Sequence, residues 1–320
     1  MGHYFVRRLL QAIPLLLGIS VVTFLLIQAI PGGVLGAYGS DVGATAEDLA
    51  RIQHQLGLDR PLYVQYLSWL GRFVRGDWGY TLIGHVSVKD QIMAALPRTV
   101  LLLGLSLTVG LALGVTAGVV AAVKQYSVVD MIVTTLSFLG LCMPVFWLGL
   151  LLILGFSVRL NWFPGGGMYT VGMPFSLMDR VKHLVLPVTA VSFGISGQYA
   201  RYTRASLLEV LHLDYVRTAH AKGLHPRQVL FWHILRNALI PLVTIFALQL
   251  PWMVGGFVVT ESIFSWPGMG RLLWMAALQH DYPMMLAVIL MFSAAVILAN
   301  LLADIAYVFL DPRIVYEQHS

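Results

Sequence analysis

Long uncharged stretches alternate with short charged clusters along this chain. Five windows contain no Asp, Glu, Lys, Arg or His: Leu9–Ile30, Thr99–Val123, Met131–Val158, Ala238–Thr260 and Met284–Ala303. Each holds about 20 residues or more, enough for an α-helix to cross a hydrocarbon core roughly 30 Å thick. A sixth window, Leu184–Tyr199, is shorter and softer. It carries Pro187, Ser192, Ser196 and Gln198, and it can extend past Ala200. The pattern predicts an all-α polytopic membrane protein with six transmembrane helices. The first window follows Arg7 and Arg8 as a signal peptide would. It is longer than an h-region and has no small-x-small site before Pro31, so it reads as a retained anchor.

Composition points the same way. Only 11% of the 320 residues are charged and 58% are hydrophobic, whereas soluble proteins average about 25% charged. A soluble globule, a disordered chain and a collagen-like chain are excluded. The net charge is +5, but in a membrane protein excess Lys and Arg mark cytoplasmic loops rather than nucleic-acid binding. With the N-terminus inside, ten Lys and Arg fall on inner segments and four on the two short outer loops. The long loop between Pro31 and Arg98 holds the other six and is largely exempt from the rule. Both termini are therefore expected in the cytoplasm. Gly110, Gly114 and Gly118 give the second span a small-xxx-small packing face. Pro144, Pro187, Pro241 and Pro251 can each kink a span. The single cysteine, Cys142, cannot form an internal disulfide and is expected to be a small buried hydrophobe.

The organisation that follows is a tail and first span over 1–30, an extracytoplasmic loop over 31–98, a five-helix core over 99–310 and a tail over 311–320. Two short helices are expected in the outer loop. One begins at Thr45, Glu47 and Asp48 and stops at Gly57; the other starts at Pro61 and closes in the turn Arg75–Gly79. They could rest on lipid, cap the bundle or receive a partner. The longest inner segment, about 201–237, holds six of the ten inner cations. It reads as a helix over Asp214–Lys222, a stop at Gly223, and a second helix with His225 as N-cap and Pro226 as first residue.

This inner segment, Tyr215-Val216-Arg217-Thr218-Ala219-His220-Ala221-Lys222-Gly223-Leu224 followed by Leu235-Arg236-Asn237-Ala238-Leu239-Ile240-Pro241, resembles the coupling loop of ABC importer permeases of the dipeptide/oligopeptide (peptide/nickel) group. The general pattern has Glu-Ala-Ala, three residues, Gly, then nine residues before Ile-x-Leu-Pro. Arg217 and Thr218 replace its Glu and first Ala, and Arg236 replaces its Pro, as in the peptide-type subgroup. The resemblance extends to Phe5–Leu10, Arg75–Gly79, Asn161–Pro164, Glu261–Gly270 and Leu310–Arg313.

The resemblance implies a type I importer permease fold with both termini in the cytoplasm, in the cell (inner) membrane of a bacterium or archaeon. It implies a second permease subunit, two ATP-binding subunits carrying ATP and Mg, and an extracytoplasmic solute-binding protein. By analogy Tyr215, Arg217, Thr218, Ala219, Ala221, Lys222, Gly223 and Leu224 meet an ATPase. Gly223 allows the turn, and Ala219 and Ala221 allow close approach. Ser137, Ser192 and Gln249, uncharged polar residues within spans, are candidates to line the path. Dipeptides, oligopeptides, glutathione and nickel chelates are all carried within the group.

Energy is expected to come from another chain. A P-loop needs Lys followed by Ser or Thr, and Lys89, Lys124, Lys182 and Lys222 precede Asp90, Gln125, His183 and Gly223. The spans lack the intramembrane carboxylates and histidines of ion relays; Asp304 lies just beyond the last window. Gly194-Ile195-Ser196-Gly197 matches an intramembrane serine-protease motif, but no window supplies a base within reach of Ser196, and His183 sits at a membrane edge on the same span. The spacing of His212, His220, His225 and His233 fits no usual metal pair. An ATP-independent transporter or channel, and a non-transporting scaffold, are the alternatives of a different class.

Overall fold

The computed structural model describes residues 2–30, 54 and 59–310. Among them the regular structure is helical, apart from one isolated bridge between Tyr80 and Ser87. The helices are α1 (Gly2–Gln28), α2 (Leu62–Val74), α3 (Val88–Val123), α4 (Val128–Cys142), α5 (Val145–Arg159, π-helical from Ile153), α6 (Leu177–Leu211), α7 (Asp214–Ala221), α8 (226–238, π-helical over Val229–Leu235), α9 (Ile240–Ile263), α10 (Met269–Leu278) and α11 (Tyr282–Leu310). Three described helices, α1, α3 and α11, are long and apolar enough to cross a membrane; α4 with α5 makes a fourth if the pair counts as one span.

The window Met131–Val158 is thus a broken passage. α4 and α5 meet at 106°, because Met143 and Pro144 are extended (ψ 120° and 132°). A proline disfavours helical geometry in the residue before it and cannot donate to the preceding turn. Pro187 has no such effect, since α6 runs through it, and Pro241 sits in the first turn of α9, where a missing N–H costs nothing.

Three helix starts share one device. Ser87, Ser127 and Ser176 each accept a hydrogen bond from the backbone N–H of an aspartate three residues on, Asp90, Asp130 and Asp179 (3.3, 3.3 and 3.4 Å). The serine satisfies an orphan donor, and the carboxylate sits at the positive end of the helix.

The chain divides into two compact units, Met1–Thr99 with Pro267–Leu301, and Val100–Trp266 with Leu302–Ser320. In the first, α2 lies against α1 through aromatic rings. Phe24 meets Tyr66 (centroids 5.5 Å) and Trp69 (6.0 Å), and the ring series continues through Phe73 to Trp78. Ser20 Oγ and Tyr66 Oη are 2.7 Å apart. α2 starts after Pro61, and the expected turn follows, with Gly76 and Gly79 at φ +88° and +79°. The helix expected from Thr45 to Gly57 lies outside the described residues. The buried Asp281 carboxylate accepts the N–H groups of Leu82 (3.0 Å) and Met284 (3.2 Å), so it caps α11 and pins the turn before α3. Burial pushes its pKa up, against those two hydrogen bonds.

In the second unit α6 is gripped from two sides by bare backbone. A Cβ on Gly110, Gly114 or Gly118 of α3 would lie 2.7 Å from Ile195 Cβ, 2.8 Å from Ser196 O or 2.6 Å from Ala200 O. These glycines form the packing face that their spacing predicts. Gly197 meets the backbone of Ser137 in the same way, and Gly140 that of Phe193, so α4 approaches α6 as closely. At one end of this contact Arg204 donates Nε and Nη2 to the two oxygens of the buried Asp130 (2.7 and 2.8 Å), and the Tyr126 N–H adds a third bond (2.9 Å). Cys142 is exposed, contrary to expectation: the apolar run that holds it turns this position outward in the last turn of α4, just before the Pro144 break.

Candidate coupling site

The segment 214–238 folds as a short helix, a stop and a second helix. α7 ends in a Schellman motif: Leu224 N–H reaches Ala219 O (3.4 Å) and Gly223 N–H reaches His220 O (3.0 Å). The motif requires a left-handed residue, and Gly223 has φ +74° with open space around its Cα. The His225 side chain then accepts from Arg227 N–H (3.4 Å) and Pro226 occupies the first turn of α8. The π-helical stretch Val229–Leu235 had no sequence signal.

Helical periodicity divides α7 into two faces. Val216 and Ala219 point inward, in one cluster with Ala122, Leu207, Val210, Val229, Ile234 and Ala238. The close approach that Ala219 permits is therefore to this chain's own helices. Arg217, Thr218, Ala221, Lys222 and Gly223 are exposed, and Tyr215 and Leu224 are partly so. The Arg217–Asp214 contact is 3.7 Å long between side chains that are 74% and 97% exposed, so it contributes little and leaves the guanidinium available.

Polar bonds fasten α7 to the segment that follows. Tyr215 Oη donates to His233 O (3.2 Å), and Asn237 Nδ2 donates to both Tyr215 Oη (2.9 Å) and His233 O (3.0 Å). Ser206 Oγ donates to Ala238 O (2.8 Å), which ties α6 to the end of α8. Tyr215, Trp232, His233, Arg236 and Asn237 line a cleft of about 470 Å³ beside α7. Its cationic and aromatic walls suit an acidic or ring-bearing side chain of a partner. Trp232, His233 and Asn237 had no place in the sequence-based set.

The path candidates lie on three different helices. Ser137 Oγ donates to Val133 O (2.7 Å) and Ser192 Oγ to Ser106 O (3.0 Å); both residues are buried in helix contacts. Gln249 is half-buried on α9. Ser196 Oγ donates to Phe193 O (2.9 Å) and His183 Nδ1 lies 2.8 Å from Asp179 O, so each is engaged with its own helix rather than with the other.

Residues 114–316 match the model of the family described as binding-protein-dependent transport system inner membrane component, and residues 1–103 match the model of its N-terminal region. An oligopeptide transport system permease protein of Bacillus subtilis (strain 168) is 43% identical, with 99% of this chain and all of the relative covered. A di/tripeptide transport system permease protein of Pseudomonas aeruginosa (strain UCBPP-PA14) is 39% identical, and a glutathione transport system permease protein of Escherichia coli (strain K12) 38%, both over 99% of this chain and all of the relative. Among solved structures, an inward-facing methionine ABC transporter superposes with TM-score 0.55 at 18% identity, covering 69% of this chain and 96% of that one. That likeness concerns the fold alone.

Proposed function

The chain belongs to the family of binding-protein-dependent transport system inner membrane components, and from that premise we propose that it forms half of the translocation path for a peptide and takes its driving force through α7. As a family member it is a multi-pass permease subunit of an ABC importer and not an enzyme; ATP hydrolysis belongs to partner chains. The finer picture has six spans, α1, α3, bent α4–α5, α6, α9 and α11, with both termini in the cytoplasm. The partners are a second permease subunit, two ATPase subunits that carry ATP and Mg, and an extracytoplasmic solute-binding protein. The membrane is the inner membrane of a bacterium or archaeon. A peptide solute is favoured because the named relatives carry oligopeptides, di- and tripeptides or glutathione.

The observation that carries the coupling role is the two-faced handle. Its inner face is apolar and joined to α6 and α8; its outer face offers Arg217, Thr218, Ala221, Lys222 and Leu224. An ATPase that grips the outer face moves the inner face with it, and the Tyr215–Asn237–His233 bonds pass that motion to the segment leading into α9. ATP binding closes the ATPase pair, the handles follow, and the spans exchange access between the two sides. Among the path candidates Gln249 is preferred, because the hydroxyls of Ser137 and Ser192 are already used inside helix contacts.

The test is uptake of a labelled peptide into proteoliposomes. The assembled transporter is expected to import it only with ATP and binding protein present. Flux through the purified chain alone would contradict the proposal and favour an ATP-independent channel.

A further inference from the structure

The loop from Leu160 to Ser176 leaves α5 and enters α6, and it carries no charge from Leu160 to Met178. It is nonetheless firmly folded. Trp162 N–H donates to Phe156 O (2.9 Å), Gly167 N–H donates to Phe264 O (2.8 Å), and Phe163 packs beside the cluster of Leu186, Ala190 and Phe264. Its outward side is apolar. Trp162, Val171, Met173, Phe175 and Leu177 are all exposed, Val171 at 88% and Phe175 at 74%. Water would make so many fixed, exposed apolar side chains costly.

Three observations say what covers it. First, the exposed positions continue a flank of the membrane passage itself: Leu150, Leu154 and Val158 of α5 are exposed at helical spacing and lead into Leu160. Second, cations bracket the apolar tip, with Arg159 at one end and Arg180 and Lys182 at the other. The single acid there, Asp179, is occupied by the Thr170 N–H (2.8 Å) and hydroxyl (2.7 Å). Third, the Arg180 guanidinium lies over the rings of Phe175 (4.7 Å) and Tyr169 (5.7 Å). Aromatic rings at headgroup level, apolar side chains below them and cations toward phosphate are the signature of a segment seated in a lipid interface.

We propose that residues 160–182 insert their apolar tip, Val171 to Phe175, into the headgroup and upper acyl region of the outer leaflet, and so anchor the outer ends of α5 and α6 to lipid. This needs only that the chain spans a membrane, so it stands or falls separately from the coupling role.

The test is spin-label accessibility in the assembled transporter, reconstituted in phosphatidylethanolamine–phosphatidylglycerol vesicles. In a Cys142→Ser background, Val171→Cys and Met173→Cys carry nitroxides, with Leu154→Cys as the lipid control and Arg60→Cys as the aqueous control. All four sites are exposed, so folding should survive each change. The expected result is collision with oxygen close to that at Leu154, and collision with a water-soluble nickel chelate several-fold below that at Arg60. Chelate access equal to Arg60 would overturn the proposal. So would shielding from both reagents, which would mean that a protein partner such as a binding protein covers the loop.

Discussion

The two loops at the ends of α6 are built alike and present opposite chemistry. Each turns on a left-handed glycine with open space around it, Gly172 at φ +83° and Gly223 at φ +74°. The first is held by the main-chain bond from Gly167 N–H to Phe264 O, the second by side-chain bonds from Tyr215 and Asn237. The loop before α6 exposes Val171, Met173 and Phe175; the segment after it exposes Arg217, Thr218 and Lys222. Exposure by itself therefore does not identify a functional surface. What identifies it is what the exposed side chains can pair with: acyl chains and phosphate on one side, a protein partner with polar and acidic groups on the other.

The largest effect should come from what holds α6 between these loops. Arg204→Met would strand the Asp130 carboxylate, which is buried and doubly bonded to that guanidinium. Losing one partner of a buried ion pair costs about 3–5 kcal/mol. A thermal melt in nanodiscs, followed by circular dichroism, should show a clearly lowered midpoint; an unchanged midpoint would mean that the pair does not secure α4 to α6.

The two glycines give a matched comparison. Valine at either position meets the same left-handed strain, roughly 1–2 kcal/mol, and that amounts to about tenfold in a population. Gly223→Val should reduce ATP-driven uptake by about that factor, because it unwinds the handle. Gly172→Val should leave the ratio of solute moved to ATP hydrolysed at its normal value. Equal losses of coupling in both variants would erase the distinction between the loops.

A smaller effect is expected at Tyr215. Phenylalanine removes the hydroxyl that joins His233 O and Asn237 and leaves the ring in place. A hydrogen bond contributes about 0.5–1.5 kcal/mol. The predicted signature is modest: ATP hydrolysis persists while less solute moves per ATP.

The smallest concerns pH at the outer loop. The Thr170 N–H, then its hydroxyl, hold the Asp179 carboxyl below its ordinary value of 3.8. A lowered folded-state pKa gives a contribution that is present above 3.8 and fades only as pH falls through the folded value. Hydrogen exchange at the Thr170 amide should thus be protected alike at pH 7 and pH 5 once the intrinsic rate is corrected, and lose protection only below pH 4. A loss between pH 7 and pH 5 would contradict this assignment.

Much of this molecule was legible without coordinates. Uncharged windows mark the apolar helices because lipid tolerates no unpaired charge, and Gly223 with Pro226 marks the end of one helix and the start of the next. The Gly110–Gly114–Gly118 stripe announces a close helix contact, though not that α6 is the partner. Ser-x-x-Asp at residues 87, 127 and 176 is a readable start signal for α3, α4 and α6. Other features depend on three-dimensional neighbours. Val216 and Ala219 sit three apart, yet only packing shows that Ala219 faces this chain's own helices. Cys142 lies in an apolar run, and no pattern tells a lipid-facing position from a buried one when both sides are apolar. Ser137 and Ser192 looked free because their hydroxyl partners are backbone carbonyls, which any sequence supplies everywhere.

Site-directed cross-linking tests the central claim most directly. In a Cys142→Ser transporter, Arg217→Cys on the outer face of α7 should cross-link to the ATPase subunit, whereas Val171→Cys on the outer loop should not. If Arg217→Cys and Leu224→Cys both fail to capture the ATPase in a complex that still imports solute on ATP, the handle lies elsewhere and this account of coupling is wrong.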